Sequence, residues 1–142
     1  MNMLKVGSTM TTEAWDEYYK PNLTWNHAWG AAPANIIPRR MLGIQPLEPG
    51  FSKFKIEPQI NGLQQVSLKM PTIKGAIEVA LRQEEGSMKM EIEVPGNTEA
   101  QVLLPTGLKI REVKGLDVTS TDPGNEIHLK SGSYIILANY EK

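Results

Sequence analysis

Hydrophobic and polar positions alternate along most of the chain after residue 50. Ile77, Val79 and Leu81 take every second position of one run, and the same period continues through 88–94. A period of two buries one face of a strand and leaves the other, here with Glu78, in water. Eight such short runs, rich in aliphatic or β-branched residues, lie at 51–56, 63–70, 76–82, 88–94, 100–104, 108–113, 127–129 and 134–139.

Turn-forming residues separate these runs, for instance in the segments 95–97, 105–107 and 122–125. Short strands with Gly, Pro and Asn between them, and no helical pattern, are typical of two packed sheets. The sequence therefore predicts a mainly β fold: an antiparallel β-sandwich of about eight strands preceded by one or two α-helices.

The residues before position 50 have a helical pattern instead. A first helix is expected over 13–19, capped by Thr11 or Thr12 and stopped by Pro21, because threonine caps helices and acidic residues are favourable in a first turn.

A second helix is expected over about 26–42 and is closed by Gly43. Pro33 and Pro38 lie inside it and should break or kink it, because proline lacks the N–H that the helix needs.

Composition narrows the possible functions. At 142 residues with a net charge of -1, the chain is one soluble domain with a small appendage and has no general attraction for nucleic acid or anionic membrane. The sequence has no apolar run long enough to span a membrane and no secretory signal pattern. Composition does not decide between the cytoplasm and the periplasm as the compartment of the protein. Without cysteine, and with two distant histidines, no metal site is expected, and no phosphate-binding motif indicates a cofactor.

Candidate chemistry is concentrated near the beginning of the chain. Glu13, Asp16 and Glu17 are spaced i, i+3 and i+4, which puts them on one face of the predicted helix. Carboxylates beside aromatic rings suit a site that hydrolyses sugars, because ring faces stack on sugar C–H groups. An acidic helix face in water is the alternative interpretation.

Three tryptophans, Trp15, Trp25 and Trp29, lie in the same stretch, and two of them flank His27. This imidazole could contact a sugar hydroxyl or orient a carboxylate, or it could be a packed histidine bonded to a backbone carbonyl. His128 alternates with apolar neighbours and is expected at the surface. The segment 22–24 also matches the N-glycosylation pattern, Asn-x-Thr.

Several of these segments resemble one enzyme family. The C-terminal part of the bacterial α-L-rhamnosidases, glycoside hydrolase family 78, is similar to four stretches of this chain. These are the pattern Gly7-x-Thr9-x-x-x-Glu13-x-Trp15-Asp16, the run Lys20-Pro21-Asn22, the run His27-x-Trp29-Gly30 and the block Gly43-Ile44-x-Pro46-x-x-Pro49-Gly50-Phe51. The resemblance covers about residues 7–58, and the strands beyond agree in pattern and position.

The resemblance implies an architecture and a set of roles. Residues 1–50 would be the helical end of an (α/α)6 catalytic barrel with a linker, and residues 51–142 its C-terminal β-sandwich. Glu13 matches the general base of an inverting enzyme, and His27 a histidine that lines the sugar pocket. Trp15, Trp25 and Trp29 are further candidates for binding a rhamnose-containing glycan. The general acid would lie in segments that precede this chain, so the chain alone is expected to be inactive.

Two other interpretations stay open. The chain could be a free-standing sugar-binding module that uses its tryptophans as a stacking platform, or a structural sandwich. The apolar residues of 10–43 exceed what two kinked helices can bury, which also predicts self-association through that segment.

Overall fold

The computed structural model describes residues 2–15, 18–24, 27–59, 62–115 and 124–140. Contacts within the chain divide it into two units, Met1–Ile37 and Pro38–Lys142. Among the described residues, no helix is long and apolar enough to cross a membrane.

The first unit contains short helical pieces. Helix α1 spans Asn2–Lys5, a 3₁₀ turn spans Ala28–Ala31, and helix α2 spans Ala32–Ile36. A π-helical turn, Ile37–Met41, follows α2. The predicted second helix is thus helical from 28 to 41, but its α-helical part has only five residues. The expected break is confirmed: Pro33 is tolerated in the first turn of α2, whereas Pro38 cannot continue the α-helical ladder.

The predicted helix over 13–19 is wrong for the residues that the structure describes. Residues 13–15 form bends and 18–19 a turn, while Asp16 and Glu17 lie outside the described residues. The Thr12 hydroxyl donates to the carbonyl of Ala14 at 2.6 Å, and such local bonds compete with helix formation. A segment this short is also too weak a helix to form without tertiary support. Glu13 is therefore not on a helix face, and the predicted places of Asp16 and Glu17 beside it lie outside the described residues.

The second unit is built from strands, nine in the described part of the chain: β1 Gln45–Pro46, β2 Lys53–Ile56, β3 Gln65–Thr72, β4 Gly75–Glu84, β5 Ser87–Val94, β6 Glu99–Leu103, β7 Leu108–Lys114, β8 Glu126–Leu129 and β9 Gly132–Tyr140. They form two sheets, in the orders β1-β2-β6-β8 and β3-β4-β5-β9-β7. All eight predicted strands are present, and the two-residue β1 was not predicted. The mainly β sandwich is confirmed.

One pairing departs from the antiparallel expectation. Strand β2 pairs with β6 in parallel, with Phe54 opposite Ala100, while the other strand pairs among the described residues are antiparallel. The long excursion through β3, β4 and β5 between β2 and β6 makes this possible, because parallel neighbours need a long connection.

The core consists of the inward-facing residues of both sheets. In β5, every second residue from Met88 to Val94 is buried, and Lys89, Glu91 and Glu93 face water as predicted. His128 is exposed between buried Ile127 and Leu129, which confirms its surface position. The fully buried set includes Leu42, Ile44, Phe54, Ile56, Ile77, Met90 and Val102.

Two of these core residues precede the predicted domain boundary after Gly50. Leu42 and Ile44 lie on either side of Gly43, whose φ of 65° favours glycine. A Cβ on Gly43 would lie 2.1 Å from the carbonyl oxygen of Glu57. The segment 41–43 is also hydrogen-bonded to the chain after β2, through Glu57 N to Leu42 O at 3.2 Å and Gln59 N to Met41 O at 2.7 Å.

Candidate active site

Glu13 is the centre of a polar cluster in the first unit. Its side chain is only 3% exposed, although the residue lies in an irregular segment. Lys20 contacts Oε1, and His27 Nδ1 lies 3.5 Å from the same oxygen. Thr24 donates its backbone N–H to Oε2 at 3.2 Å, and its hydroxyl lies at the same distance from that oxygen. Four polar groups from three residues therefore surround one carboxylate.

Electrostatics keep this carboxylate ionised. The hydrogen bond from the Lys20 ammonium lowers the pKa of Glu13 below its ordinary value, and the bonds from Thr24 act in the same direction against the desolvation that raises it. Because the ionised carboxylate carries no hydrogen, both its oxygens act as acceptors. Glu13 is thus present in the basic form at neutral pH.

An aromatic surface adjoins the carboxylate. The rings of His27 and Trp29 have centroids 4.0 Å apart and are tilted by 37°, and Lys20 Nζ lies 5.9 Å from the Trp29 ring centroid. Trp29 is 64% exposed, so this indole offers a face to solvent. Trp15 is also exposed. Trp25 lies outside the described residues.

A glycine allows the segment that leads to Glu13 to lie close to the turn that follows His27. A Cβ on Gly30 would lie 2.1 Å from the carbonyl oxygen of Thr11, and the Thr11 hydroxyl donates to the carbonyl of Gly30. The N–H of Gly30 in turn bonds the carbonyl of His27 at 2.9 Å. The backbone at Thr11 thus lies against the turn that carries His27, and glycine at position 30 is needed because any Cβ there would clash.

The structure thus unites Glu13, His27 and Trp29, three of the residues singled out from the sequence. It adds Lys20 and Thr24, whose part in the site sequence reasoning missed. Thr24 attracted attention only as the last residue of a glycosylation pattern, whereas its hydroxyl bonds the carboxylate of Glu13. A signal was available for Lys20, which belongs to one of the stretches that carry the resemblance, whereas for Thr24 there was only its place between Glu13 and His27.

Chemically, the cluster can accept a proton, and its described residues supply no second carboxyl to act as an acid. Within the described part of residues 1–37, Glu13 is the one carboxylate side chain. The described residues also contain no group of three His, Asp or Glu side chains placed to hold a metal ion.

Fold and site together define a class of protein: a β-sandwich domain preceded by a segment that holds a nearly buried carboxylate beside a histidine and an exposed indole. Residues 43–118, more than half of the 142, match the family described as bacterial alpha-L-rhamnosidase C-terminal domain. The chain belongs to this family. The matched residues begin after Glu13 and His27 and end before β8, so the match covers strands β1 to β7 of the sandwich and not the candidate site.

Individual relatives agree. An alpha-L-rhamnosidase of Formosa agariphila is 26% identical over 137 residues, which cover 88% of this chain and 14% of that protein. The structure of an alpha-L-rhamnosidase from Dictyoglumus thermophilum superposes with a TM-score of 0.72 at 25% identity, over 96% of this chain and 17% of that one.

A further fold likeness is to a Streptomyces avermitilis alpha-L-rhamnosidase solved with L-rhamnose, with a TM-score of 0.69 at 22% identity, over 94% of this chain and 14% of that one. The chain therefore spans only about a seventh of the length of the curated relative it matches.

Proposed function

We propose that this chain is the C-terminal part of a glycoside hydrolase that releases terminal α-L-rhamnose with inversion, and that Glu13 is its general base. The observation that carries the proposal is the nearly buried, ionised carboxylate of Glu13, held by Lys20, Thr24 and His27 beside the exposed ring of Trp29. The family membership of the sandwich and the names of its relatives support the substrate class.

In this mechanism Glu13 takes a proton from water as the water attacks the anomeric carbon. A second carboxyl, from outside the described residues, protonates the leaving oxygen on the opposite side of the sugar. In inverting enzymes two such groups stand roughly 6.5–9.5 Å apart, which leaves room for the water. His27 and the rings of Trp15, Trp25 and Trp29 bind the rhamnosyl unit by hydrogen bonding and stacking.

The water must first find a free site on the carboxylate. A carboxylate has about four lone-pair sites, and Lys20, His27 and Thr24 already direct four polar groups at them. Lys20 is the group that yields, because its side chain is 35% exposed and on a flexible stem, and because the Trp29 face offers it another partner. Withdrawal of the Lys20 ammonium also raises the pKa of Glu13 back towards its ordinary value, so the carboxylate is a stronger base when the water attacks.

The 142-residue chain by itself is predicted to be inactive. A positioned acid is commonly worth about 10²–10⁴-fold in rate, and the missing pocket also removes the orientation of the substrate. Purified chain incubated with an aryl α-L-rhamnoside should release no aryl alcohol above background. Turnover that follows the purified chain and disappears in Glu13→Gln would contradict the prediction that the chain alone is inactive.

The same variant tests the assigned role in a complete enzyme. There, Glu13→Gln should lower kcat by at least about 10²-fold while substrate binding is largely retained, and His27→Ala should act mainly on binding. Glu85→Gln, at an exposed turn position, is the matched control and should leave both parameters unchanged. Full activity of Glu13→Gln would refute the base assignment.

A free-standing carbohydrate-binding module is the second candidate, favoured by the exposure of Trp15 and Trp29. Such modules normally carry their aromatic platform on the sandwich, whereas these rings precede it, which favours the enzyme. Titration calorimetry with L-rhamnose separates the two: the module binds as an isolated chain, and the partial active site shows little or no binding.

A further inference from the structure

Thr24 is the residue of the cluster that contacts both Glu13 and His27. Its backbone N–H and its hydroxyl both lie 3.2 Å from Glu13 Oε2, and the hydroxyl oxygen is also 2.9 Å from His27 Nδ1. A single side-chain oxygen therefore bridges the carboxylate and the imidazole.

The hydrogens in this bridge can be assigned from the inventory of donors. The Glu13 carboxylate, paired with Lys20, has no hydrogen to offer. A threonine hydroxyl has one hydrogen and two lone pairs, so its hydrogen points at Glu13 Oε2, since otherwise two oxygen lone pairs would face each other. A lone pair of the same hydroxyl then faces His27 Nδ1, and the hydrogen of that contact must come from the ring.

A second contact demands the same arrangement. His27 Nδ1 lies 3.5 Å from Glu13 Oε1, which is also only an acceptor. A lone pair on Nδ1 would be repelled by both the Thr24 hydroxyl oxygen and Glu13 Oε1, whereas a hydrogen on Nδ1 is attracted by both of these oxygens. Which ring nitrogen of a neutral histidine carries the hydrogen is set by such bonds.

We propose that Thr24 is a positioning residue whose hydroxyl fixes the Nδ1–H tautomer of His27 against Glu13, which leaves a lone pair on Nε2. For the rhamnosidase function proposed above, on which this last step rests, His27 then accepts a hydrogen from a sugar hydroxyl through Nε2 and does not donate one. The site would thereby select a ligand that presents a hydroxyl donor to this ring.

The chain carries its own reference for the test. His128, the other histidine, lies with Nε2 3.1 Å from Glu126 Oε1, so the same reasoning puts its hydrogen on Nε2. The two rings of one molecule should therefore show opposite tautomers, which the ¹⁵N chemical shifts and long-range proton couplings of the ring nitrogens distinguish.

The measurement is made on the ¹⁵N-labelled 142-residue chain at mildly alkaline pH, where an imidazole is neutral. His27 should show a protonated Nδ1 and an unprotonated Nε2. Thr24→Ser, which keeps the hydroxyl, should preserve this pattern. Thr24→Val, which keeps the shape without the hydroxyl at an exposed position, should lower the ratio of Nδ1–H to Nε2–H by about fivefold, as the loss of one hydrogen bond of about 1 kcal/mol gives. The His128 signals should not change and report that the sandwich is intact.

Two results would overturn the inference. An Nε2–H tautomer of His27 in the unmodified chain would exclude the bridge, even if a variant failed to fold. An unchanged tautomer ratio in a folded Thr24→Val chain would assign the effect to Glu13 alone. Because no sugar is present, neither result depends on the rhamnosidase proposal, which fails instead if Glu13→Gln leaves a complete enzyme active.

Discussion

Replacing Gly43 by alanine tests how the segment before the sandwich is held against the chain after β2. Gly43 has a φ of 65°, a region that costs an L-residue with a Cβ roughly 1–2 kcal/mol. The new Cβ would also lie 2.1 Å from the carbonyl oxygen of Glu57, so the two backbones must separate by about 1 Å to reach ordinary contact.

That separation strains the two hydrogen bonds that flank the Glu57 carbonyl, from Glu57 N to Leu42 O and from Gln59 N to Met41 O. Each is worth about 0.5–1.5 kcal/mol, so with the backbone term the free energy of unfolding should fall by about 2–5 kcal/mol. Urea unfolding followed by far-ultraviolet circular dichroism measures the change, since the two sheets of the sandwich contain all nine strands of the described residues.

Gly86→Ala is the matched control. Gly86 has a φ of 81° in the turn between β4 and β5, but a Cβ there would meet nothing within 4 Å. This variant should show the backbone term alone, about 1–2 kcal/mol. Equal losses in the two variants would refute the view that the close approach of Glu57, and not φ, makes glycine necessary at position 43.

Further predictions concern the two units of the chain. A fragment of residues 38–142 should melt cooperatively and give a β-type circular dichroism spectrum. A fragment of residues 51–142 should have a melting temperature more than about 10 °C lower, because it lacks the buried Leu42 and Ile44. Equal melting temperatures of the two fragments would contradict this. Because the pKa of Glu13 is lowered, its pairing holds through the ordinary carboxyl range and is lost as pH falls through the lowered value. Tryptophan fluorescence, which reports only on the segment 15–29, should follow that acid transition, and Glu13→Gln should lack it. The exposed aromatic residues of 10–43 should cause the chain to self-associate. Analytical ultracentrifugation that shows only a monomer at high protein concentration would contradict this.

Periodicity was sufficient to predict the sandwich because strand faces are a local property. In β4 and β5 the side chains alternate between core and water wherever the sequence alternates, and Gly or Pro ends each run. The exposed position of His128 follows from the same rule. What periodicity does not contain is the choice of neighbours: the parallel pairing of β2 with β6 joins residues more than 40 positions apart in sequence.

In the first 37 residues, local signals were weaker than tertiary contacts. The cap and the acidic first turn favoured a helix over 13–19. The side chains of Thr11 and Glu13 are instead bonded to distant parts of the chain, and the Thr12 hydroxyl bonds the nearby carbonyl of Ala14. The sequence by itself identified Glu13 and His27 as chemically interesting, through residue type and resemblance to a family. Only the tertiary structure brought Lys20 and Thr24 to that carboxylate, because a loop's path depends on contacts such as the approach of Gly30 to Thr11, which no local pattern encodes.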